Sequence, residues 1–438
     1  MNKSDQKAAV TPMSDSQPFK DIKVVEFGQF VAVPFCGQLL AEGGAEVIKI
    51  ESPEGDPNRH MSEVVPFESR IFISRNRGKH SLPLKLSDDR ARPVIESLLA
   101  WADVVLMNFR PGLAKKMGID SDSLKSRFPR LVIGEITPFG KKGPDANLSA
   151  MDIVVQARSG LMAAMGRTIE GRPAPGEPVI SDYMAATSLA FGISAALFRR
   201  EHTGRGGIVD VSLMQSAMTL ANNQLVRSED LDREKQLAII EKLNQQRIDG
   251  ASFEEQRASL PSARMFAMTS VYFRTFDTAD GSIAIACASK GLQIRFSAAL
   301  GFTDKSHDPS QATSPDNNYY QALQHQVEAI IRSKNSADWL AILETAGVPV
   351  STVKFPLELF EDPQAEANEM FHVLQHPTAG RFRTLSPPVK LDGEGFQPRG
   401  ATAPFATETK ALLIGLGFND KEIEKLVEQG VTRIRESD

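Results

Sequence analysis

The stretch Ile22–Glu51, IKVVEFGQFVAVPFCGQLLAEGGAEVIKIE, decides the fold, because short apolar runs typical of buried strands stand at both of its ends. Between these runs, Pro34 suits the first turn of a helix, and the pair Gly43 and Gly44 suits its end. The stretch therefore predicts a β-α-β unit, with strands over Ile22–Phe27 and Val47–Glu51 and a helix over Pro34–Leu40.

The same alternation continues along the chain and predicts an α/β protein with a doubly wound parallel sheet. Ligands of such sheets bind outside the carboxyl ends of the strands, which here are the loops Gly28–Val33 and Asn108–Gly112. The first of these loops lacks the GxGxxG fingerprint, so a nicotinamide enzyme is disfavoured. The further predicted elements are helices over Arg92–Trp101 and Ser121–Arg127 and strands over Val104–Met107 and Leu131–Ile136.

Composition indicates an ordinary globular enzyme. The 438 residues are 41% hydrophobic and 24% charged, and 50 Lys and Arg stand against 55 Asp and Glu without a basic run, so a nucleic-acid partner is disfavoured. No apolar run approaches the roughly 20 residues of a membrane span, and the polar start does not resemble a signal peptide. Two cysteines, Cys36 and Cys287, suit a reducing cytoplasm. The scattered histidines favour no metal site.

Five segments are predicted. Residues 1–18 are expected to be a disordered tail, and 19–225 a large α/β domain. The densely charged segment 226–262 is expected to be a helical linker. A small α+β domain follows over 263–370, opened by a hairpin with strands over Ser270–Phe276 and Ser282–Ala286 and containing helices over Tyr319–Arg332 and Ala337–Ala346. Residues 371–438, rich in Pro and Gly, are expected to form an extended return ending in a helix over Lys421–Gln429 that packs with the large domain.

Asp182 is the candidate catalytic residue. It stands where a long helix of small residues begins, in the run ISDYMAATSLAFGISAALF. Backbone N–H groups and the helix dipole at such a position are expected to keep a carboxylate ionised and in one orientation. An ionised carboxylate can attack an activated acyl group. The alternative interpretation is that Asp182 only caps its helix.

Eight motifs follow one another along the chain. They are VVEFGQFVAVPFCGQLLAEGGAEVIKIESPEGDPNR, NRGKHSLPLKL, NFRPGLAKKMGID, ITPFGKKGP, MDIVVQARSGLMAAMG, ISDYMAA, ALFRREHTGRGGIVDVSL and HPTAGRF. Together they resemble the family III CoA-transferases, which include formyl-CoA transferase, carnitine CoA-transferase and the divergent α-methylacyl-CoA racemase. The family resemblance implies that 19–225 is a Rossmann-like large domain that binds CoA, and it also implies a small domain and an interlocked homodimer.

The same resemblance implies a reaction. The family's catalytic aspartate matches Asp182, which would form first a mixed anhydride with an acyl group and then a thioester with CoA, before a carboxylic acid accepts the CoA. Coenzyme A is then a co-substrate, and no metal is required. Asp152 matches an acidic residue that lies close to the active site in the family, although an Asp at a helix start is also explained as a cap.

The resemblance also implies the residues that contact CoA. The family's adenine and phosphate contacts match Asn108, Phe109, Lys116 and Met117, with Lys79 and Leu84 nearby. Lys79, Arg110, Lys115 and Lys116 have the charge to face phosphates. The alternatives are that the charged residues are solvated surface residues, that Phe109 belongs to the core and that Asn108 belongs to a turn.

Two departures from the family pattern limit the substrate prediction. The racemase branch has a proton-transferring histidine where this chain has Met151, whose thioether cannot act as an acid or base. Formyl-CoA transferase has a glutamine for oxalate where this chain has Val31, so a larger or less polar acyl group is favoured. The glycine run that closes over the intermediate in some members is also missing between Ala258 and Thr275. Two alternatives stay open, an α-methylacyl-CoA racemase and a CoA-binding protein without turnover.

Overall fold

The computed structural model describes residues 17–261, 267–308, 310, 315–392, 396–397 and 400–435 of the chain. Two compact units are present, one formed by residues up to Arg233 together with those from Ala367 onward, and one formed by Glu234–Glu366. The predicted tail falls almost entirely outside the described residues, as does the predicted boundary at 262/263. The predicted domain limits and the interlocked homodimer therefore stay predictions.

The larger unit is built on six parallel strands, and it confirms the predicted doubly wound sheet. Their order across the sheet is β6-β5-β4-β1-β2-β3, the order of Rossmann-type dinucleotide-binding domains. The sequence predicted four of these strands to within one residue at each end and did not predict β3 or β6. The strands are β1 Lys23–Phe27, β2 Glu46–Glu51, β3 Lys79–Pro83, β4 Val104–Met107, β5 Val132–Thr137 and β6 Gly207–Ser212.

Alternate residues of each strand enter two separate hydrophobic cores, one on each face of the sheet. Val24 and Val104 contribute to the first core, whereas their neighbours Val25 and Val105 contribute to the second. The helices of the larger unit are α1 Ala32–Glu42, α2 Arg70–Asn76, α3 Arg92–Trp101, α4 Leu113–Lys116, α5 Ser121–Arg127, α6 Asp152–Arg158, α7 Leu161–Met165, α8 Ile180–Thr203 and α9 Leu213–Leu220. Short hairpins pair Glu63–Val65 with Glu68–Ser69 and Thr168–Ile169 with Arg172–Pro173.

Helix α8 is 24 residues long, and among the described helices it alone has the length and composition to cross a membrane. The sequence prediction found no apolar run of that length, because the helix interleaves Ala, Ser and Gly with its larger apolar residues. Leu189 and Ile193 of α8 are fully buried in the first core. Phe191 and Phe198 of the same helix are 78% and 71% exposed, so burial in this core accounts for only part of its apolar composition.

The smaller unit has its own core around a three-stranded antiparallel sheet, β7-β8-β9. The predicted hairpin is present, but its first strand begins at Phe273 rather than Ser270, because Met268–Tyr272 forms a π-helical turn. The elements are α10 Arg233–Ile248, α11 Phe253–Ala258, β7 Phe273–Asp277, β8 Ser282–Ala286, α12 Lys290–Leu300, α13 Asn317–Arg332, α14 Ser336–Thr345, β9 Val350–Thr352 and α15 Pro363–Ala367.

The C-terminal segment differs from the predicted extended return. It begins as an antiparallel hairpin, β10 Phe371–His376 with β11 Gly380–Leu385, and ends in two helices rather than one, α16 Thr409–Gly415 and α17 Asp420–Glu428. Leu413 and Ile423 of these helices are buried in the second core.

Candidate active site

A large pocket of the larger unit opens where the strand order reverses, at the carboxyl ends of β1 and β4. The side chain of Asn108, directly after β4, bridges these ends: its Oδ1 accepts from the Gln29 N–H at 3.2 Å and its Nδ2 donates to the Gln29 carbonyl at 3.0 Å. The pocket has a volume of about 1370 Å³ and includes both residues in its lining. A crevice at this position is the usual ligand site of open α/β sheets.

Asp182 lines this pocket as the third residue of α8. It does not cap the helix, since the cap position is Val179, and no described residue donates a hydrogen bond to its carboxylate. Its pKa is raised from 3.8 to about 7, mainly by burial and also by the charge of Asp152, while the charge of Arg75 opposes the shift. This direction is opposite to the expectation that the helix start holds Asp182 ionised.

Asp152 provides the cap that Asp182 does not. As the first residue of α6, it accepts a hydrogen bond at 2.9 Å from the backbone N–H of Ser181 in the first turn of α8. Its other oxygen accepts from Gln156, which is in turn bonded to both the N–H and the carbonyl of Gly176. Asp152 is 6% exposed and lines the pocket, so its charge stands beside Asp182 as the sequence comparison implied.

The raised pKa of Asp182 predicts a pH-dependent gain in stability for Asp182→Asn. Because the folded pKa of about 7 exceeds the ordinary 3.8, the carboxyl stabilises the fold most when protonated, and that contribution is lost as the pH rises through about 7. The amide stays neutral. We expect the variant to melt at a higher temperature than the wild type at about pH 8, with a difference that shrinks toward about pH 4. The exposed first-turn Asp338→Asn is the control, and a pH-independent difference would contradict the prediction.

Most of the residues predicted to contact CoA line the pocket. Arg110 and Lys116 are exposed and have no acidic partner within the described chain, whereas Phe109 is half-buried with its ring 5.9 Å from that of Phe27. Phe109 therefore serves both the core and the pocket wall. Lys115 does not line the pocket. The predicted residues that do line it, besides Asp152 and Asp182, are Val31, Leu84, Asn108, Phe109, Arg110, Lys116 and Met117.

The prediction that Lys79 faces phosphates is wrong. Its ammonium is 2.7 Å from a Glu26 carboxylate oxygen and donates to Asn76 and to the Pro34 carbonyl, and the residue is only 2% exposed. Burial lowers its pKa to about 8. The motif gave the position of Lys79 along the chain but not the direction of its side chain. That side chain packs under α1, beside Pro34 and Gly37, and does not line the pocket.

Lys79 belongs to a group of buried charged side chains beneath the pocket, which we call the buried ion cluster. Arg59 holds both oxygens of Glu51, at 2.7 and 2.9 Å, and also contacts Glu68 at 2.7 Å. Gly37 of α1 passes so close that a Cβ there would lie 2.0 Å from a Glu26 oxygen. All members are at most 2% exposed; they are Glu26, Lys49, Glu51, Asp56, Arg59, Glu68 and Lys79.

Two residues close to Asp182 were missed by the sequence analysis. Arg75 of α2 lines the pocket, and its Nε donates to the Tyr183 hydroxyl at 3.2 Å. Tyr183 follows Asp182 in the quoted run ISDYMAA, so its proximity was readable, whereas no motif pointed to Arg75. The arginine could be found only from the contact of α2 with α8.

The described residues give little support for a thiol nucleophile, a metal site or racemase chemistry. Burial raises the pKa of both free thiols, that of Cys287 to about 11, so neither is a ready nucleophile. No group of three or more His, Cys, Asp or Glu side chains in the described ranges is arranged to hold a metal ion. Met151 lines the pocket and is 56% exposed, so the position of the racemase histidine carries no proton-transferring group.

Comparisons with known proteins agree with this geometry. The sequence profile of CoA-transferase family III matches residues 19–408. The chain is 29% identical to cinnamoyl-CoA:phenyllactate CoA-transferase of Clostridium sporogenes, over 94% of this chain and 97% of that one. It is 30% identical to a probable fatty acyl-CoA transferase of Mycobacterium tuberculosis, over 81% and 87%. A crystal structure of a CaiB/BaiF family protein from Brucella suis superposes with a TM-score of 0.71 at 27% identity, covering 91% of this chain and 99% of that one.

Proposed function

Because the chain belongs to CoA-transferase family III, we propose that it moves CoA from an acyl-CoA thioester to a carboxylic acid, with Asp182 as the covalent carrier. The observation that supports this role most directly is a half-buried carboxylate without a hydrogen-bond donor among the described residues, on the wall of a pocket of about 1370 Å³. A carboxylate that is poorly solvated and not hydrogen-bonded is a better nucleophile than one held in an ion pair.

The transfer then proceeds in balanced steps. An Asp182 oxygen attacks the thioester carbonyl, the carbon–sulfur bond breaks, and CoA leaves as a thiolate, so that Asp182 becomes a mixed anhydride. The thiolate attacks the aspartyl carbonyl and releases the donor acid as a carboxylate. The acceptor carboxylate repeats the sequence in reverse and leaves as its own CoA thioester. The backbone N–H groups of Ile180 and Asp182, in the first turn of α8, have no acceptor in the described part of the chain and can stabilise developing oxyanions.

Arg110 and Lys116 are the proposed phosphate contacts of CoA, since both line the pocket without an acidic partner among the described residues. We expect the double variant Arg110→Ala and Lys116→Ala to raise the KM for acyl-CoA by about 10-fold or more, with little change in kcat, because charge-assisted bonds are lost in bound substrate and transition state alike. Steady-state kinetics at several salt concentrations measures this. Lys115→Ala, which removes a neighbouring charge outside the pocket, is the control; an equal effect there would contradict the assignment.

Oxygen-18 tests the covalent route. An acceptor acid labelled in its carboxylate passes one labelled oxygen to Asp182, because the bridging oxygen of the anhydride stays on the aspartyl side when CoA attacks the acceptor carbonyl. After a single turnover with each of a panel of acyl-CoA donors, the peptide that contains Asp182 should be heavier by one labelled oxygen. Transfer without label in that peptide would overturn the aspartyl anhydride.

Each of the two alternative functions predicts a different set of results. A racemase-like enzyme exchanges the α-proton of an acyl-CoA with deuterated solvent without any acceptor acid. A CoA-binding protein without turnover binds the nucleotide and gives neither exchange nor labelled Asp182. Met151 at the wall of the pocket favours the transferase over the racemase.

A further inference from the structure

Arg75 is a half-buried arginine without a carboxylate partner among the described residues, and its guanidinium lies 5.8 Å from the centre of the Tyr183 ring. Its Nε donates to the neutral hydroxyl of Tyr183 at 3.2 Å, and no carboxylate in the described residues forms an ion pair with it. The Tyr183 ring is fixed in turn by an edge contact with Phe35, with ring centroids 4.8 Å apart. The guanidinium is therefore held in place at the pocket wall with most of its donors unused.

This arrangement differs from the buried arginines elsewhere in the same unit. Arg59 pairs with Glu51 and Glu68, Arg77 pairs with Glu42, and Arg200 pairs with Asp103. A guanidinium withdrawn from water is normally compensated by a carboxylate or another anion. Arg75 lines the pocket, so the space facing it is open to an anionic ligand.

The position of Arg75 relative to Asp182 indicates that an anionic ligand bound to Arg75 would react at Asp182. Its positive charge acts on Asp182, yet the two side chains form no ion pair, so their charged groups are more than 4.0 Å apart. A carboxylate between them can place one oxygen on the guanidinium and direct the other at the Asp182 carbonyl carbon.

We propose that Arg75, oriented by Tyr183, binds the carboxylate of the acid substrate and presents it to the thioester formed on Asp182. The proposal rests on the proposed transferase function. In the step concerned, the free carboxylate oxygen forms a bond to the Asp182 carbonyl carbon, the carbon–sulfur bond breaks, and the negative charge leaves on the CoA thiolate. Arg75 is thus a specificity-determining residue for the acceptor acid.

The residues of the pocket wall next to Arg75 indicate the chemical class of the acceptor acid. Ile71 lies one turn before Arg75 on the same helix face, and Val31 lies one turn before Phe35 on α1; both line the pocket. Neither side chain can hydrogen-bond. We infer an acid whose carboxylate meets Arg75 and whose remaining part is apolar.

The test measures the two halves of the reaction separately at about pH 9, where Asp182 is ionised regardless of its neighbours. Acylation is followed as CoA captured by a thiol reagent when it leaves an acyl-CoA donor without acceptor, so that the thiolate cannot attack the aspartyl carbonyl. Transfer is followed as the dependence of rate on acceptor concentration. We expect Arg75→Met to raise the acceptor KM about 10- to 100-fold while CoA release changes little, since a charge-assisted bond to the acceptor is lost. Arg75→Lys should recover part of the loss. Arg70→Met, on the same helix but outside the pocket, should match the wild type.

An unchanged acceptor KM in Arg75→Met would overturn the inference, and so would an equal loss in both halves of the reaction. If Arg75→Met does not fold, Tyr183→Phe provides the test, because it removes the hydroxyl that orients Arg75 and keeps the ring contact with Phe35. Tyr183→Phe should raise the acceptor KM, and a normal KM would overturn the inference. Failure of the proposed function is distinguishable, because the wild type itself would then show no transfer to any acid.

Discussion

Asp182→Ala is expected to abolish CoA transfer, with a loss of at least about 10⁴-fold in turnover, because the variant has no atom that can form the anhydride. Asp182→Asn should lose as much, since an amide is a poor nucleophile although it keeps the size of the side chain. The measurement is CoA exchange between an acyl-CoA and a free acid, together with hydroxylamine trapping and peptide mass mapping. In the wild type, the trapped product should lie on Asp182.

The structure supplies the reason to expect intact folding in these variants. Asp182 makes no side-chain hydrogen bond with a described residue, and the cap of α8 comes from Asp152. Loss of activity with an unchanged circular dichroism spectrum and retained CoA binding therefore assigns the effect to chemistry. Substantial turnover in Asp182→Ala, or a trapped product on another residue, would refute the covalent role of Asp182.

Arg59→Met is expected to destabilise the larger unit by about 3–5 kcal/mol, the usual cost of leaving a buried ion pair half broken. Arg59 is fully buried, and methionine of similar length leaves two buried carboxylates, Glu51 and Glu68, without their cation. Denaturant-induced unfolding measures the loss. Arg59 now holds the pKa of Glu51 down near 2, so in the variant we expect Glu51 to take up a proton and the loss to be smaller at about pH 5 than at about pH 8.

The matched control is Arg172→Met, which breaks the ion pair with Glu170. Both partners are 76% exposed, and a solvated pair contributes little, so no measurable change in stability is expected. A comparable loss in both variants, or none in Arg59→Met, would show that the buried ion cluster does not contribute as its geometry indicates.

Whether a strand could be predicted from the sequence depended on how apolar its residues are. β4 is an apolar run, and β1, β2 and β5 each contain adjacent apolar residues, which identified all four directly. β3 was missed because its sequence, KHSLP, carries Lys79 and Ser81 into a buried position, where they bond Glu26 and Glu51. Such inward charges are compensated only by partners on other strands. A pattern of hydrophobicity therefore cannot recognise them.

The residues of the candidate site could likewise be predicted only in part from the sequence. Asp182, Asp152 and Asn108 were readable because motifs fixed their positions at the ends of elements. Lys79 was placed wrongly because a motif gives position along the chain and not the direction of the side chain. Arg75 carried no signal at all, since its significance lies in the absence of a partner, and that absence is visible only once α2 and α8 are placed together.

The buried ion cluster also has a consequence for folding of the chain during its synthesis. Glu26 and Lys49 stand on the first two strands, but Lys79, which completes the neutralisation of Glu26, stands on the third. As the chain leaves the ribosome, closing α1 over the first two strands would seal Glu26 away from water before its second cation has emerged. That closure is unfavourable. Nascent chains ending before Lys79 are thus expected to stay open to proteases, and compaction of this end of the sheet to begin as a single event once the third strand is out.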